Sequence, residues 1–184
     1  MSVEGITEVS NYLTFKLDEE IFGLEILKVR EVLDFEKVTK VPRTPEFMRG
    51  VINLRGSVVP VVDLRLKFGL TKTEQTVDAC IIIAEIDLGG ETTILGALAD
   101  AVHEVIELEP DAIDPAPKIG TRLNTEFIKG MGKRDDEFII ILDIDKVFSA
   151  EEMALVQETG ENKPLEVDEV VEEVVEEAVE EALA

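Results

Sequence analysis

The chain has 184 residues and carries 41 acidic side chains against 18 lysines and arginines, for a net charge of −23. That balance argues against nucleic acid, whose phosphates need a basic face, and against charge-driven binding to anionic lipid or direct membrane insertion. No apolar run reaches signal-peptide or transmembrane length, and the single Cys80, set in an apolar strand, suits an inert thiol in a reducing, cytoplasmic setting.

Taken in order, the elements read as mainly β. Tyr12–Leu17, the polar turn Asp18-Glu19-Glu20 and Ile21–Ile26 form a hairpin pattern. Val51–Leu54 and Val58–Asp63 form another, with Arg55 and Gly56 at its tip and Pro60 marking an edge or a bulge. Leu64–Phe68 is a short helix. Cys80–Ala84 and Thr93–Leu98 repeat the first hairpin across Asp87-Leu88-Gly89-Gly90. Phe138–Leu142 is a continuous β-branched run suited to burial on both faces. Ile144–Val156 is the longest plausible helix of the body.

These elements repeat. Phe47-Met48-Arg49-Gly50, Val61-Val62-Asp63-Leu64 and Phe68 recur 80 residues later as Phe127-Ile128-Lys129-Gly130, Ile141-Leu142-Asp143-Ile144 and Phe148. Ile21-Phe22-Gly23 and Val29–Leu33 recur 73 residues later as Ile94-Leu95-Gly96 and Val102–Ile106. The excess falls between Leu108 and Phe127, in the stretch with Pro110, Pro115 and Pro117. Duplicated units of short strands predict two small β-barrels packed together: a first at about 15–78, a second at about 79–148, and a closing helix at about 144–157.

Residues 158–184 differ. Eleven acids stand against Lys163, a charge of −10 that leaves −13 for the rest. The Val-Val-Glu-Glu unit repeats every four residues, so an apolar stripe drifts about 40° per repeat around a helix of 3.6 residues per turn. Glu pairs such as Glu172 with Glu176 repel by about 0.2–0.5 kcal/mol. The segment reads as disordered or marginally helical at neutral pH. It serves either as a solubilising appendage or as a partner-binding segment.

Catalytic patterns are missing. The one histidine, His103, excludes histidine metal clusters, and it reads as a surface residue. Gly130-Met131-Gly132 precedes a charged turn rather than a helix, so it is no phosphate loop. Ser57 and Ser149 sit in no nucleophile elbow. Asp63 and Asp143 occupy equivalent places and are expected to cap the helices that follow, with Asp145 in the first turn. The reading is of a non-enzyme without cofactor or metal.

Val51-Ile52-Asn53-Leu54-Arg55-Gly56 with Val59–Leu64, Phe22–Val32, Val41-Pro42 to Gly50, and Asp143–Phe148 together resemble the CheW family of bacterial chemotaxis coupling proteins. The resemblance spans about residues 11–148, with the domain drawn at 11–157. It implies two five-stranded SH3-like barrels, agreeing with the duplication. It also implies an adaptor that couples chemoreceptor cytoplasmic tips to the regulatory domain of the histidine kinase CheA in arrays, with possible ring assembly. Carried over by motif, the expected receptor-binding residues are Val29, Glu31, Gly50, Asn53 and Arg55. Each has a structural alternative: an intramolecular Glu31–Arg55 salt bridge, a backbone requirement at Gly50, core packing at Val29. The second hairpin replaces the Arg55 tip with Lys133-Arg134-Asp135-Asp136, so receptor contact is expected in the first lobe and kinase contact mainly in the second. The alternatives are a CheW-type scaffold in a related sensory pathway and a small β-barrel enzyme.

Overall fold

The structure, a computed structural model, describes residues 6–35, 37–88, 90–115, 127–148, 152 and 154. Among the described residues eleven strands alternate with short turns: β1 (Ser10–Leu17), β2 (Glu20–Glu25), β3 (Val29–Asp34), β4 (Met48–Leu54), β5 (Ser57–Asp63), β6 (Cys80–Leu88), β7 (Glu91–Ala99), β8 (Ala101–Leu108), β9 (Ile113–Asp114), β10 (Ile128–Arg134) and β11 (Glu137–Leu142). They form a five-stranded sheet ordered β3-β6-β7-β5-β4 and a six-stranded sheet ordered β8-β1-β2-β11-β10-β9. The two sheets are copies of one plan. The sixth strand, β9, pairs Asp114 with Met131, where the first copy has a single bridge from Thr39 to Val51.

The mainly β, two-lobed expectation is met, but the lobes do not divide at residue 78. The sequence repeats exchange their first hairpins in space. β1 and β2 join the sheet built by β8–β11, and β6 and β7 join the sheet built by β3–β5. Parallel pairings make the exchange, β2 with β11 and β7 with β5. Two crossings carry the chain between sheets: a 3-10 turn at Ile26–Lys28, and Asp100 alone. Each crossing is pinned by charge. Lys28 Nζ donates to Asp145 at 3.0 Å, and Asp145 also accepts from the Asp87 backbone at 2.8 Å. Arg65 donates to Asp100 at 2.6 Å, and Asp100 also accepts from the Asp18 backbone at 2.7 Å. Residues 65 and 145 are equivalent by the 80-residue spacing, so the two joints match with their charges exchanged.

The apolar residues sort into three clusters. Ile6, Tyr12, Ile106, Leu108, Ile113, Ile139 and Ile141 fill the six-stranded lobe. Phe35, Val59, Val61, Ala79, Ile81, Ile83 and Leu98 fill the other. The largest cluster lies between the sheets and draws on both. Its spine is a run of rings, Phe15–Phe22–Phe68–Phe127, with centroids 5.9, 5.9 and 6.0 Å apart. Strands contributing to two clusters are buried on both faces. That explains the continuous apolar runs of β6 and of Ile139–Leu142 in β11, although Phe138 stands 61% exposed.

Helical content among the described residues is small. The α-helix α1 (Leu64–Lys67) is capped by Asp63, whose carboxylate accepts from the Arg65 backbone at 3.1 Å. It stops at Gly69, where φ is +79°; Gly69 and Leu70 donate back to Leu66 and Arg65. Asp143 holds the matching place, and contrary to expectation its side chain caps nothing. The turn after it is 3-10, Ile144–Lys146, with Asp145 in its first turn as expected. Glu152 and Ala154 are helical; the remainder of the expected closing helix after Phe148, and the acidic segment 158–184, lie outside the described residues. Pro60 is not on an outer strand. Val51, opposite it, spends both backbone groups on Thr39, so the Val51–Pro60 pair is not hydrogen-bonded and the missing N–H costs no bond to β4. Cys80 is half-buried, and burial raises its thiol pKa, as an inert thiol requires.

Candidate functional site

The hairpin β4–β5 turns in two residues, with Leu54 opposite Ser57. Arg55 and Gly56 take φ of +51° and +88°, the pattern of a type I′ turn. Glycine or asparagine is favoured at the first of these places, so an arginine there is held against its own backbone preference. Asn53 steadies the turn: its Oδ1 accepts from the Gly56 backbone at 2.8 Å. Arg55 is thus projected from a rigid tip, and its guanidinium is 74% exposed.

Its partner is Glu31. The guanidinium donates through both Nη atoms to the two carboxylate oxygens, at 2.8 and 3.1 Å. This bidentate bond raises the Arg55 pKa further above its ordinary range. β3 and β4 are the opposite edges of the five-stranded sheet, so the pair ties its two edges together. The intramolecular salt bridge is therefore real, and it leaves the outer face of the guanidinium open.

The remaining expected residues divide. Val29 is half-buried and packs on the central cluster. Asn53 is exposed beside the tip. Gly50 is buried, with φ of +145°, and a Cβ there would stand 2.1 Å from the Thr39 carbonyl oxygen. Gly50 belongs to the frame of the site and not to its surface. Glu31, Asn53 and Arg55 meet at the tip through the Arg55–Glu31 pair and the Asn53 bond to Gly56, while Val29 faces the central cluster across a bulge in β3; Gly50 sits at the base of β4, where a bulge shifts the register between Met48 and Gly50.

Sequence reasoning missed the counterpart in the second lobe. The β10–β11 hairpin has the same turn, with Asp135 and Asp136 at φ of +49° and +66°. Glu104, the repeat equivalent of Glu31, is reached by Arg134 at 3.4 Å, one residue before the place matching Arg55. Both pairs are flanked by equivalent exposed apolar residues: Val32 and Val58 at 39% and 37%, Val105 and Phe138 at 51% and 61%. The 80- and 73-residue spacings aligned these positions, but pairing Arg134 with Glu104 needed the register. A bulge helps: Thr14 plugs the β1–β8 irregularity by accepting from the Glu104 backbone at 3.1 Å and donating to its carbonyl at 2.7 Å. Each lobe thus displays an arginine–glutamate pair with an apolar surround. The second face is the more apolar, and His103 lies exposed on the cavity of about 270 Å³ beside it.

These faces have the character of docking surfaces. Among the described residues no group of three or more histidine, cysteine or carboxylate side chains is placed to hold a metal ion.

Comparison with known proteins agrees with the two-lobed plan. The CheW-like domain family matches residues 11–152. The chain belongs to the CheW family. It is 37% identical over 161 residues to the chemotaxis protein CheW of Klebsiella aerogenes, covering 86% of this chain and 93% of that one. It is 32% identical over 138 residues to the chemotaxis protein CheW of Thermotoga maritima, covering 73% and 85%. The crystal structure of the scaffolding protein TtCheW from Thermoanaerobacter tengcongensis superposes with a TM-score of 0.69 at 41% identity, covering 78% of this chain and 94% of that one. CheW-family membership makes the chain a chemotaxis scaffold and not an enzyme. No helix among the described residues is long and apolar enough to cross a membrane.

Proposed function

We propose that this chain couples the cytoplasmic tips of chemoreceptors to the regulatory domain of the histidine kinase CheA, in the cytoplasm at receptor arrays. The observation that carries the reading is the Arg55 tip: a guanidinium in a left-handed turn, clamped on one side by Glu31 and open on the other. A receptor tip is a helical hairpin, and an apolar helix face with polar anchors fits a surface of this kind. Arg55 and Glu31 are the polar anchors, Val29 the apolar support, Asn53 the brace of the tip, and Gly50 the frame. The second face, with Phe138 and Val105 around the Arg134–Glu104 pair, suits the kinase. With one face for each partner, the protein can also take part in closing rings with CheA.

Titration calorimetry of the full chain against the isolated CheA regulatory domain, and then against a soluble receptor-tip fragment, tests this. Micromolar or tighter binding to both is expected, with Arg55→Ala weakening only the receptor titration and Phe138→Ser only the kinase titration. Failure of the full chain to bind either partner overturns the coupling role. Arg55→Ala binding receptor as well as the unsubstituted chain overturns the site assignment alone. Arg55→His is expected to keep the fold while lowering kinase stimulation in a reconstituted array.

A further inference from the structure

The charge of this protein is unevenly placed. Residues 37–72 hold eight lysines and arginines against Glu46 and Asp63, within a chain of net charge −23. Much of that positive charge gathers around one cleft of about 620 Å³ on the five-stranded lobe. Lys37, Lys40, Arg43 and Lys72 line it, and none of them makes an ion pair among the described residues. The other described cations are paired with a carboxylate, Lys16 excepted. Arg49, also on the cleft, is engaged by Asp63 at 2.9 Å and lies 5.4 Å from the Phe35 ring centroid. Unpaired like charges crowded on one surface repel, and they favour an anionic occupant.

Local geometry aims the cations outward. Val41-Pro42-Arg43-Thr44 has proline at the second place and a φ of +61° at Arg43, the plan of a type II turn whose third place favours glycine. Thr44 Oγ1 donates to the Val41 carbonyl at 2.9 Å and tightens it. Between the cations the lining is mixed: Val38, Val41 and Leu66 are half-buried, and Thr44, Gln75 and one carboxylate, Glu46, also line the cleft. An occupant must therefore carry acids and small apolar side chains together.

The chain contains such a segment, and the last described residues before it lie near the cleft. Lys67 Nζ lies within 5.4–5.7 Å of the Phe47, Phe127 and Phe148 ring centroids and is bonded to Glu152 at 2.6 and 2.7 Å. Lys67 follows Leu66, which lines the cleft, so the Lys67–Glu152 contact brings the chain at Glu152 to the margin of the positive surface. Residues 158–184 carry −10 and interleave valine pairs with glutamate pairs. At about 3.3 Å per extended residue, residues 155–157 can span up to about 10 Å before the acidic segment begins.

We propose that the acidic segment 158–184 docks in cis on the cleft of Lys37, Lys40, Arg43 and Lys72, covering it until an acidic partner surface displaces it. The inference is independent of the receptor site, which lies at the Arg55 tip.

The test is paramagnetic relaxation on the full chain, spin-labelled at Ala178→Cys in a Cys80→Ala background. At low salt, where the screening length is about 30 Å, the amides of Val38, Lys40, Arg43 and Lys72 are expected to lose signal at least about twofold. The loss should vanish near 1 M salt, where screening falls to about 3 Å, and in the triple variant Lys40→Glu, Arg43→Glu, Lys72→Glu. Broadening spread evenly over the surface, or unchanged in the triple variant, overturns the proposal. Broadening that appears in unlabelled protein mixed with labelled protein assigns the contact to a second copy and overturns the cis arrangement. Small-angle scattering of the unsubstituted chain needs no cysteine exchange: its radius of gyration should rise with salt, and in the triple variant it should start high and stay there. A radius unaffected by salt in the unsubstituted chain likewise overturns the proposal.

Discussion

Replacing Gly50 by alanine separates a residue that binds from a residue that holds the frame. The added Cβ would meet the Thr39 carbonyl oxygen at 2.1 Å and its carbon at 2.7 Å, both backbone atoms with no rotamer to move. A φ of +145° adds strain for any side chain, about 1–3 kcal/mol. Relief requires the Thr39 segment to lift away, and that breaks the two hydrogen bonds it shares with Val51, at 2.8 and 2.9 Å. Each contributes about 0.5–1.5 kcal/mol net. The combined cost is about 2–6 kcal/mol, a large part of the stability of an ordinary domain. Urea denaturation followed by circular dichroism should show the midpoint falling by about 1–3 M at unchanged slope. A Gly50→Ala protein with an unchanged midpoint that nonetheless loses receptor binding would refute the reasoning and return Gly50 to the contact surface.

Other perturbations probe neighbouring parts. Arg55→Asn suits the left-handed turn better than arginine does, so stability should hold or rise slightly in urea while receptor affinity drops; a destabilised Asn variant would contradict the turn assignment. Asp63 is fully buried and accepts from Arg49, the Arg65 backbone, and both the backbone and hydroxyl of Thr73. Asp63→Ala should therefore cost about 3–5 kcal/mol in urea denaturation. Asp143→Ala at the equivalent place should stay within about 0.5 kcal/mol, since that side chain caps nothing. Equal effects would show that the two helix starts are not as different as their hydrogen bonds. Burial first, and the Glu25 charge second, raise the Tyr12 pKa. Its contribution to stability is full below the ordinary tyrosine value of about 10 and is lost as pH rises through the higher folded value. Tyr12→Phe should flatten the fall of stability with pH in that alkaline window, and an unchanged slope in urea melts across it would refute the assignment.

Much of this protein was legible in one dimension. The hairpins announce themselves by apolar runs broken at polar or glycine turns, because strand pairing and tight turns are local. The duplication is visible because both copies need the same glycine and apolar positions. Arg55 stands out because a tight turn tip is an unusual place for an arginine. What the sequence hid is long-range. A hairpin has the same pattern whichever sheet receives it, so the exchange of β1–β2 for β6–β7 between the lobes was invisible; it is decided by the crossings at Ile26–Lys28 and Asp100 and by the ion pairs that pin them. The matching of Arg134 with Glu104 depends on register across a bulge, and one residue of slip moves a side chain to the other face. The cleft of cations left unpaired among the described residues draws together residues from Lys37 to Lys72 that no local window connects. Local chemistry is set by neighbours in the chain, while pairing, burial and charge balance depend on neighbours in space, which the tertiary structure alone supplies.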